Sequence, residues 1–147
     1  MSDSADPRQN RAMIERFWRD LYARSFEAVG SYFAPEGLYE DVPTPDSGAR
    51  GPRGVAARLR IGLEPLEKIE HQTHRMVAEG SCVVTEHTET WHFPTGEVVP
   101  LPFVSIHVIE GDKIVLWRDY WDLGTLMSKV PKWWLERLAR ASEADFA

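Results

Sequence analysis

The stretch 114-IVLWRDYWDL-123 decides how the rest of the chain is read. It follows the turn signal Glu110-Gly111-Asp112 and begins as a β-branched strand, yet it carries three aromatic and three charged residues. Side chains alternate along a strand, so Val115, Trp117, Asp119 and Trp121 share one face and Leu116, Arg118, Tyr120 and Asp122 the other. Asp119 therefore sits between two indoles. Arg118, its neighbour in sequence, points the opposite way, and the acid has to find its partner on another element.

Working outward from this stretch, period two extends back through three more segments: Lys68 to Ala78, Cys82 to Phe93 and Val98 to Ile109. The connections Glu79-Gly80-Ser81, Pro94-Thr95-Gly96 and Glu110-Gly111-Asp112 are short and contain glycine, which makes consecutive strands antiparallel neighbours. Before residue 68 the period is helical. Asp6 can cap a helix that Pro7 opens, with Met13, Ile14, Phe17, Trp18, Leu21 and Tyr22 as its apolar stripe. Ser25 can cap a short second helix through Tyr32 and Phe33, ended by Pro35 and Gly37. Residues 38–42 read as a strand, residues 43–48 as a Pro- and Gly-rich loop, and Pro52 opens a helix carrying Val55, Leu59 and Leu63. After the meander, residues 124–142 read as a C-terminal helix that Pro131 bends or restarts.

The expected organisation is one domain over residues 1–147: N-terminal helices within 7–33 and 51–64, a strand at 38–42, a meander over 68–122 and the helix at 124–142. Its class is α+β, with a curved, largely antiparallel (mixed) sheet wrapped over the N-terminal helices as a cone. The open interior of such a cone is the place for a pocket.

Composition narrows the partners. Lys plus Arg total 17 against 23 Asp plus Glu, a net charge of −6, which disfavours nucleic acid and anionic membrane surfaces. The expected partners are small molecules or proteins. Cys82 is the single cysteine, so no internal disulfide forms, and the opening MSDSADPRQN lacks the basic start and apolar run of a secretory signal; a cytoplasmic location is the expectation. The longest uncharged run, residues 98–109, contains two prolines and is too short to cross a bilayer.

On the second strand of the meander, Thr85, His87, Glu89, Trp91 and Phe93 share a face, while Val84, Glu86, Thr88, Thr90 and His92 form the outer one. His87 and Glu89 stand about 6–7 Å apart along the strand, and the Asp119 strand lies two strands away, roughly 10 Å across the sheet. The early strand adds Tyr39 and Asp41, again two apart. Tyr39, Asp41, His87, Glu89 and Asp119 together suffice for general acid and base chemistry, which needs one group protonated and another ionised at the same pH. Burial beside Trp91, Trp117 and Trp121, together with like-charge repulsion, raises carboxyl pKa values and allows that division.

Other candidates take plainer roles. His71 and His74, three apart, fall on opposite faces of a strand and make a poor metal site; with His92 and His107 they are assigned to structure. No zinc spacing, glycine-rich phosphate loop or nucleophile elbow occurs, so neither metal nor cofactor is called for. Cys82 is expected buried and inert, and Trp133 and Trp134 are expected in packing or a subunit contact.

The segments KIVLWRDYWDL, VVTEHTETW and FAPEGLYEDVPTP, in their order along the chain, resemble the limonene epoxide hydrolase family, within the nuclear-transport-factor-like (SnoaL-like) cone fold. The resemblance runs from the first helix to about Leu126. It implies that Asp119 activates the attacking water, that Tyr39 and Asp41 help to hold that water, and that Glu89 protonates the epoxide oxygen while His87 orients the two carboxyls. Three positions depart from the family pattern: Asp41 replaces an asparagine, His87 an arginine and Glu89 an aspartate. Histidine titrates near 6.5 and lacks the arginine fork, so His87 does not inherit the arginine's work automatically. With three acids and at most one cation, at least one acid should be protonated.

The resemblance further implies a pocket wall of Leu59, Leu63, Trp91, Leu101, Phe103, Trp117 and Trp121, suited to an apolar cyclic substrate, no cofactor, and a homodimer formed through the convex face of the sheet. LYEDVPTP also resembles the stretch around the general base of ketosteroid isomerases, which would make Asp41 the base. SnoaL-like cyclases and dehydratases that pair an acid with a histidine remain open, as does a non-catalytic ligand-binding or assembly module.

Overall fold

The computed structural model describes residues 6–44 and 46–141. Asp6 caps helix α1 (Pro7–Tyr22), its Oδ1 accepting from the backbone N–H of Arg8 at 3.0 Å. Ile14, Phe17, Trp18 and Leu21 are buried at helical spacing, as the apolar stripe requires. Helix α2 covers Phe26–Ser31, and Ser25 makes no side-chain cap. Its backbone groups are instead engaged with Asp20 and Val29.

Two expected boundaries move here. Phe33, assigned to the second helix, begins strand β1 (Phe33–Asp41), so the strand is longer than 38–42. Pro35 and Gly37 lie inside it rather than ending a helix, at the irregularity where its pairing slips between Phe33 and Leu38. Proline lacks the N–H a ladder needs. A Cβ at Gly37 would stand 2.6 Å from the carbonyl oxygen of Ile114, so this close approach admits only glycine.

A two-residue strand β2 (Ala49–Arg50), absent from the sequence reading, leads into helix α3 (Gly51–Leu63). The meander follows as β3 (Lys68–Glu79), β4 (Cys82–His92), β5 (Val98–Glu110) and β6 (Lys113–Tyr120). Gly111 and Asp112, both at left-handed φ (55° and 63°), join β5 to β6 in the two-residue geometry that matches strand twist. The single C-terminal helix expected over 124–142 is two, α4 (Leu123–Lys129) and α5 (Lys132–Arg140), because Pro131 and its extended predecessor Val130 interrupt the helical ladder. Residue 142 lies outside the described residues, as do the first five residues and Pro45.

The six strands form one curved mixed sheet in the order β2-β1-β6-β5-β4-β3, antiparallel except for the parallel β1–β6 pair. That pair places Tyr39 beside Trp117 and Asp41 beside Asp119. Alternation holds along β4 and β5, where Val83, Thr85, His87, Glu89 and Trp91, and Val99, Leu101, Phe103, Ser105, His107 and Ile109, are all buried. It fails once in β6. Val115 is an extra residue between Ile114 and Leu116, so Ile114 rather than Val115 joins the buried face of Trp117 and Asp119. Cys82 is half-buried rather than buried, and burial raises its thiol pKa, which keeps it protonated. Among the described residues no helix is long and apolar enough to cross a membrane.

Candidate active site

Asp119 is 4% exposed and points into the cone from β6. Its Oδ1 accepts two hydrogen bonds of 2.6 Å, from the indole N–H of Trp117 two residues earlier and from the hydroxyl of Ser105 directly across on β5. Both donors fall on Oδ1, which leaves Oδ2 to meet a ligand. The two flanking indoles divide their work: Trp121 donates to Asp41 Oδ1 at 2.9 Å instead of to Asp119.

Asp41 takes its second donor from Arg58 of α3, whose Nη2 lies 3.0 Å from Oδ2. The same guanidinium spans to Asp46 and stands 5.5 Å over the ring of Tyr39. Tyr39 is stacked on Trp117 at 3.7 Å. Burial, with Asp41 next in weight, raises its phenol pKa, so the hydroxyl stays a donor. Glu89 accepts from the Trp91 indole at Oε1 (2.9 Å) and from the Tyr22 hydroxyl at Oε2.

His87 is 1% exposed and lies behind this set rather than in it. Its Nε2 is 2.8 Å from Ser105 Oγ and its Nδ1 is 3.0 Å from Nε2 of His71. It reaches Asp119 only through Ser105 and makes no hydrogen bond to Glu89, so it does not bridge the two carboxyls. Burial first, then His71 and His74, depress its pKa to about 3, and it is neutral instead of titrating near 6.5. His74 and His92 pair with Thr88 and Glu70. His107 is fully buried against Trp117, Phe17 and Trp18, with neither ring nitrogen hydrogen-bonded to a described residue.

The cation of the site is therefore Arg58, which sequence reasoning passed over. Its signal was its place on α3, three residues after Val55 and next to Leu59 on the inward helical face. Ser105 was equally missed, although it falls in phase with Leu101, Phe103 and His107 on β5. Asp46 is held below the usual carboxylate range: burial works upward, and hydrogen bonds from Arg58 and the Gly48 N–H outweigh it. Arg58 and Asp46 thus offset one another. Asp41, Glu89 and Asp119 are all raised, first by burial: Arg58 and Trp121 work against the rise at Asp41, the charge of Asp41 adds to it at Glu89, and Asp41 and Glu89 add to it at Asp119, which is raised well above its ordinary range. Three anions in one apolar enclosure are disfavoured, so the set retains protons near neutrality.

These groups open on a cavity of about 460 Å³. Tyr39, Asp41, Glu89 and Asp119 line it, as do all seven residues of the expected wall, Leu59, Leu63, Trp91, Leu101, Phe103, Trp117 and Trp121; His87 does not. Its roof was not foreseen: Leu126 and Met127 of α4 and Trp134, Leu135 and Leu138 of α5 close over it. Trp134 is buried, edge-on to Trp91 at 5.5 Å, and donates to the Gly62 carbonyl at 2.9 Å.

The SnoaL-like domain family matches residues 6–117, most of the chain. The chain belongs to the SnoaL-like family. Among curated proteins, this SnoaL-like chain is 30% identical over 111 residues to the epoxide hydrolase EphG of Mycobacterium tuberculosis, covering 75% of this chain and 71% of that one. Among solved structures it superposes on an M. tuberculosis LEH-like epoxide hydrolase with a TM-score of 0.70 and 26% identity, over 91% of this chain and 95% of the other. The Δ5-3-ketosteroid isomerase of Mycobacterium sp. shares the fold, with a TM-score of 0.67 at 20% identity over 78% and 93% of the two chains. The α+β class and the nuclear-transport-factor-like architecture are those expected from the sequence.

Proposed function

We propose that this SnoaL-like protein is an enzyme that adds water to an epoxide of an apolar cyclic substrate, without a cofactor. The observation that carries this is the pairing of Asp119 and Glu89, two buried carboxyls from strands on either side of β5 that open on one apolar cavity. Asp119 in its ionised form takes a proton at Oδ2 from a water held near Tyr39, and the water oxygen attacks an epoxide carbon. The C–O bond breaks, and Glu89 in its protonated form delivers its proton to the departing oxygen, giving a vicinal diol. Arg58 keeps Asp41 in place as an anion and, with it, the edge of the water site. His87 acts through Ser105 as a positioning residue for Asp119. The epoxide hydrolases among the relatives support this reaction over others of the fold.

Asp41 as the base of a ketone isomerisation has less support, because Arg58 pairs with its Oδ2 at 3.0 Å and an adjacent cation weakens a carboxylate as a base. Purified protein should be given cyclohexene oxide, limonene oxide and a β,γ-unsaturated cyclic ketone, with Asp119→Asn, Glu89→Gln and Asp41→Asn beside it. Diol formation lost in Asp119→Asn and retained in part in Asp41→Asn is the expected result. Ketone isomerisation that needs Asp41 and survives Asp119→Asn contradicts the reading, and absence of any turnover favours a ligand-binding module. We further propose a homodimer through the outer sheet face, where paired Val104 and Tyr120 are exposed beside half-buried Val84, Ile106, Val108 and Leu116.

A further inference from the structure

One addition of water leaves a proton on Asp119 and a charge on Glu89, so a second turnover requires a proton to leave the first and another to reach the second. Apart from the substrate cavity, a groove of about 850 Å³ lies between α1 and β3, and the two share no lining residue. Tyr22 and His71 line it, their rings stacked at 4.0 Å. Exposed Glu15 and Arg19 of α1 and Arg75 of β3 form its charged rim. We infer that His71, His87 and Ser105 form a proton relay joining Asp119 to this groove, where Tyr22 also offers its hydroxyl to Glu89. The inference rests on Asp119 being the base.

The geometry is continuous. His71 Nε2 is 3.0 Å from His87 Nδ1, His87 Nε2 is 2.8 Å from Ser105 Oγ, and Ser105 Oγ is 2.6 Å from Asp119 Oδ1. With Asp119 ionised, Ser105 donates to it, so His87 must donate from Nε2 to Ser105 and accept at Nδ1 from His71. Every donor then points toward the carboxylate. With Asp119 protonated the chain runs in the opposite sense once the carboxyl has turned its O–H toward Ser105 and both imidazoles carry their protons on Nδ1: the carboxyl O–H gives its proton to Ser105, Ser105 gives its own to His87 Nε2, His87 passes Nδ1–H to His71 Nε2, and His71 releases its Nδ1–H to the groove. One proton leaves the chain for each that enters, and no group is oxidised or reduced. The groups facing His71 are Trp18 and Tyr22 from α1 and His87 from β4, with His74 further along its own strand. Burial holds both histidines neutral, His71 to about 4 and His87 to about 3, so the transfer leaves no resting imidazolium.

The test follows Asp119 without substrate. Its protonated carboxyl has an infrared C=O band, identified by its loss in Asp119→Asn, and the growth of that band after a downward pH jump is timed. His71→Ala should slow it by about 100-fold, the lower end of what a positioned proton carrier contributes, and imidazole in the medium should restore it. Ser105→Ala should slow it too, and Ser105→Thr, which keeps the hydroxyl, should not. Unchanged rates in His71→Ala and Ser105→Ala would mean that protons enter through the cavity mouth, overturning the relay. Turnover separates this from the reaction itself. If the wild type opens cyclohexene oxide, His71→Ala should lower kcat in later turnovers far more than in the first, with KM kept; equal losses contradict the relay. If it opens no epoxide but the band responds as described, the relay stands and the assignment of the reaction falls.

Discussion

Asp119 carries a conflict that defines it: the burial that makes it a strong base also makes its ionised form costly. Its folded pKa is raised above the unfolded value of about 3.9. A carboxyl raised in this way contributes stability while protonated and loses that contribution as pH rises through the folded pKa. Asp119→Asn should therefore abolish diol formation and at the same time raise Tm at pH 8, where about 1 kcal/mol corresponds to 2–4 °C in a chain of this size. Thermal unfolding at pH 5 and pH 8 checks it, the gain shrinking toward pH 5. His107 works in the other direction. It binds a proton when unfolded below about 6.5 and when folded only below about 3, owing to burial first and His87 second. Stability is lost as pH falls across that window. At pH 5 one such histidine costs about 2 kcal/mol, and His107→Phe, which keeps the ring among Phe17, Trp18 and Trp117, should remove it. Urea midpoints at pH 7, 6 and 5 should fall less steeply in the variant, and an identical slope would contradict this reading.

At the scale of elements, strand alternation was legible because period two survives wherever a ladder is regular. It named His87, Glu89 and Asp119 as inward residues, while the family resemblance supplied the apolar wall of Leu59, Leu63, Trp91, Leu101, Phe103, Trp117 and Trp121, all of which line the cavity. The extra residues Val115 and His74 were not legible, since a bulge leaves no mark on the pattern beyond one shifted parity. Contacts between elements were also hidden: Arg58 meets Asp41 across 17 residues and Ser105 meets Asp119 across a hairpin, and neither distance follows from spacing. The C-terminal helical stretch was legible from its sequence, but nothing there states that Trp134, Leu135 and Leu138 line a cavity. Trp134→Ala should cost about 3–5 kcal/mol of stability, as buried tryptophans do. It should also raise KM more than it lowers kcat, because Trp134 touches the cavity and not the carboxyls; calorimetry and steady-state kinetics measure the two effects.

For the whole molecule, charge and hydropathy had already narrowed the partners to small molecules or proteins, and the sheet order then placed one apolar cavity under the helices. The outer sheet face shows an unpartnered apolar strip centred on Val104 and Tyr120. A homodimer that covers it should dissociate in Val104→Glu, with sedimentation velocity reporting the change from two chains to one and an unchanged sedimentation coefficient counting against that interface.

In the proposed reaction water activated by Asp119 attacks the epoxide carbon directly, and the fate of the water oxygen reports it. A single turnover of cyclohexene oxide by excess enzyme in ¹⁸O-labelled water should place one labelled oxygen in every diol molecule, with unlabelled enzyme recovered and no diol formed by Asp119→Asn. Unlabelled diol, with the label already in an enzyme carboxylate after that one turnover and reaching the diol only in later ones, would mean that a carboxylate attacks carbon itself, and would overturn direct attack by water.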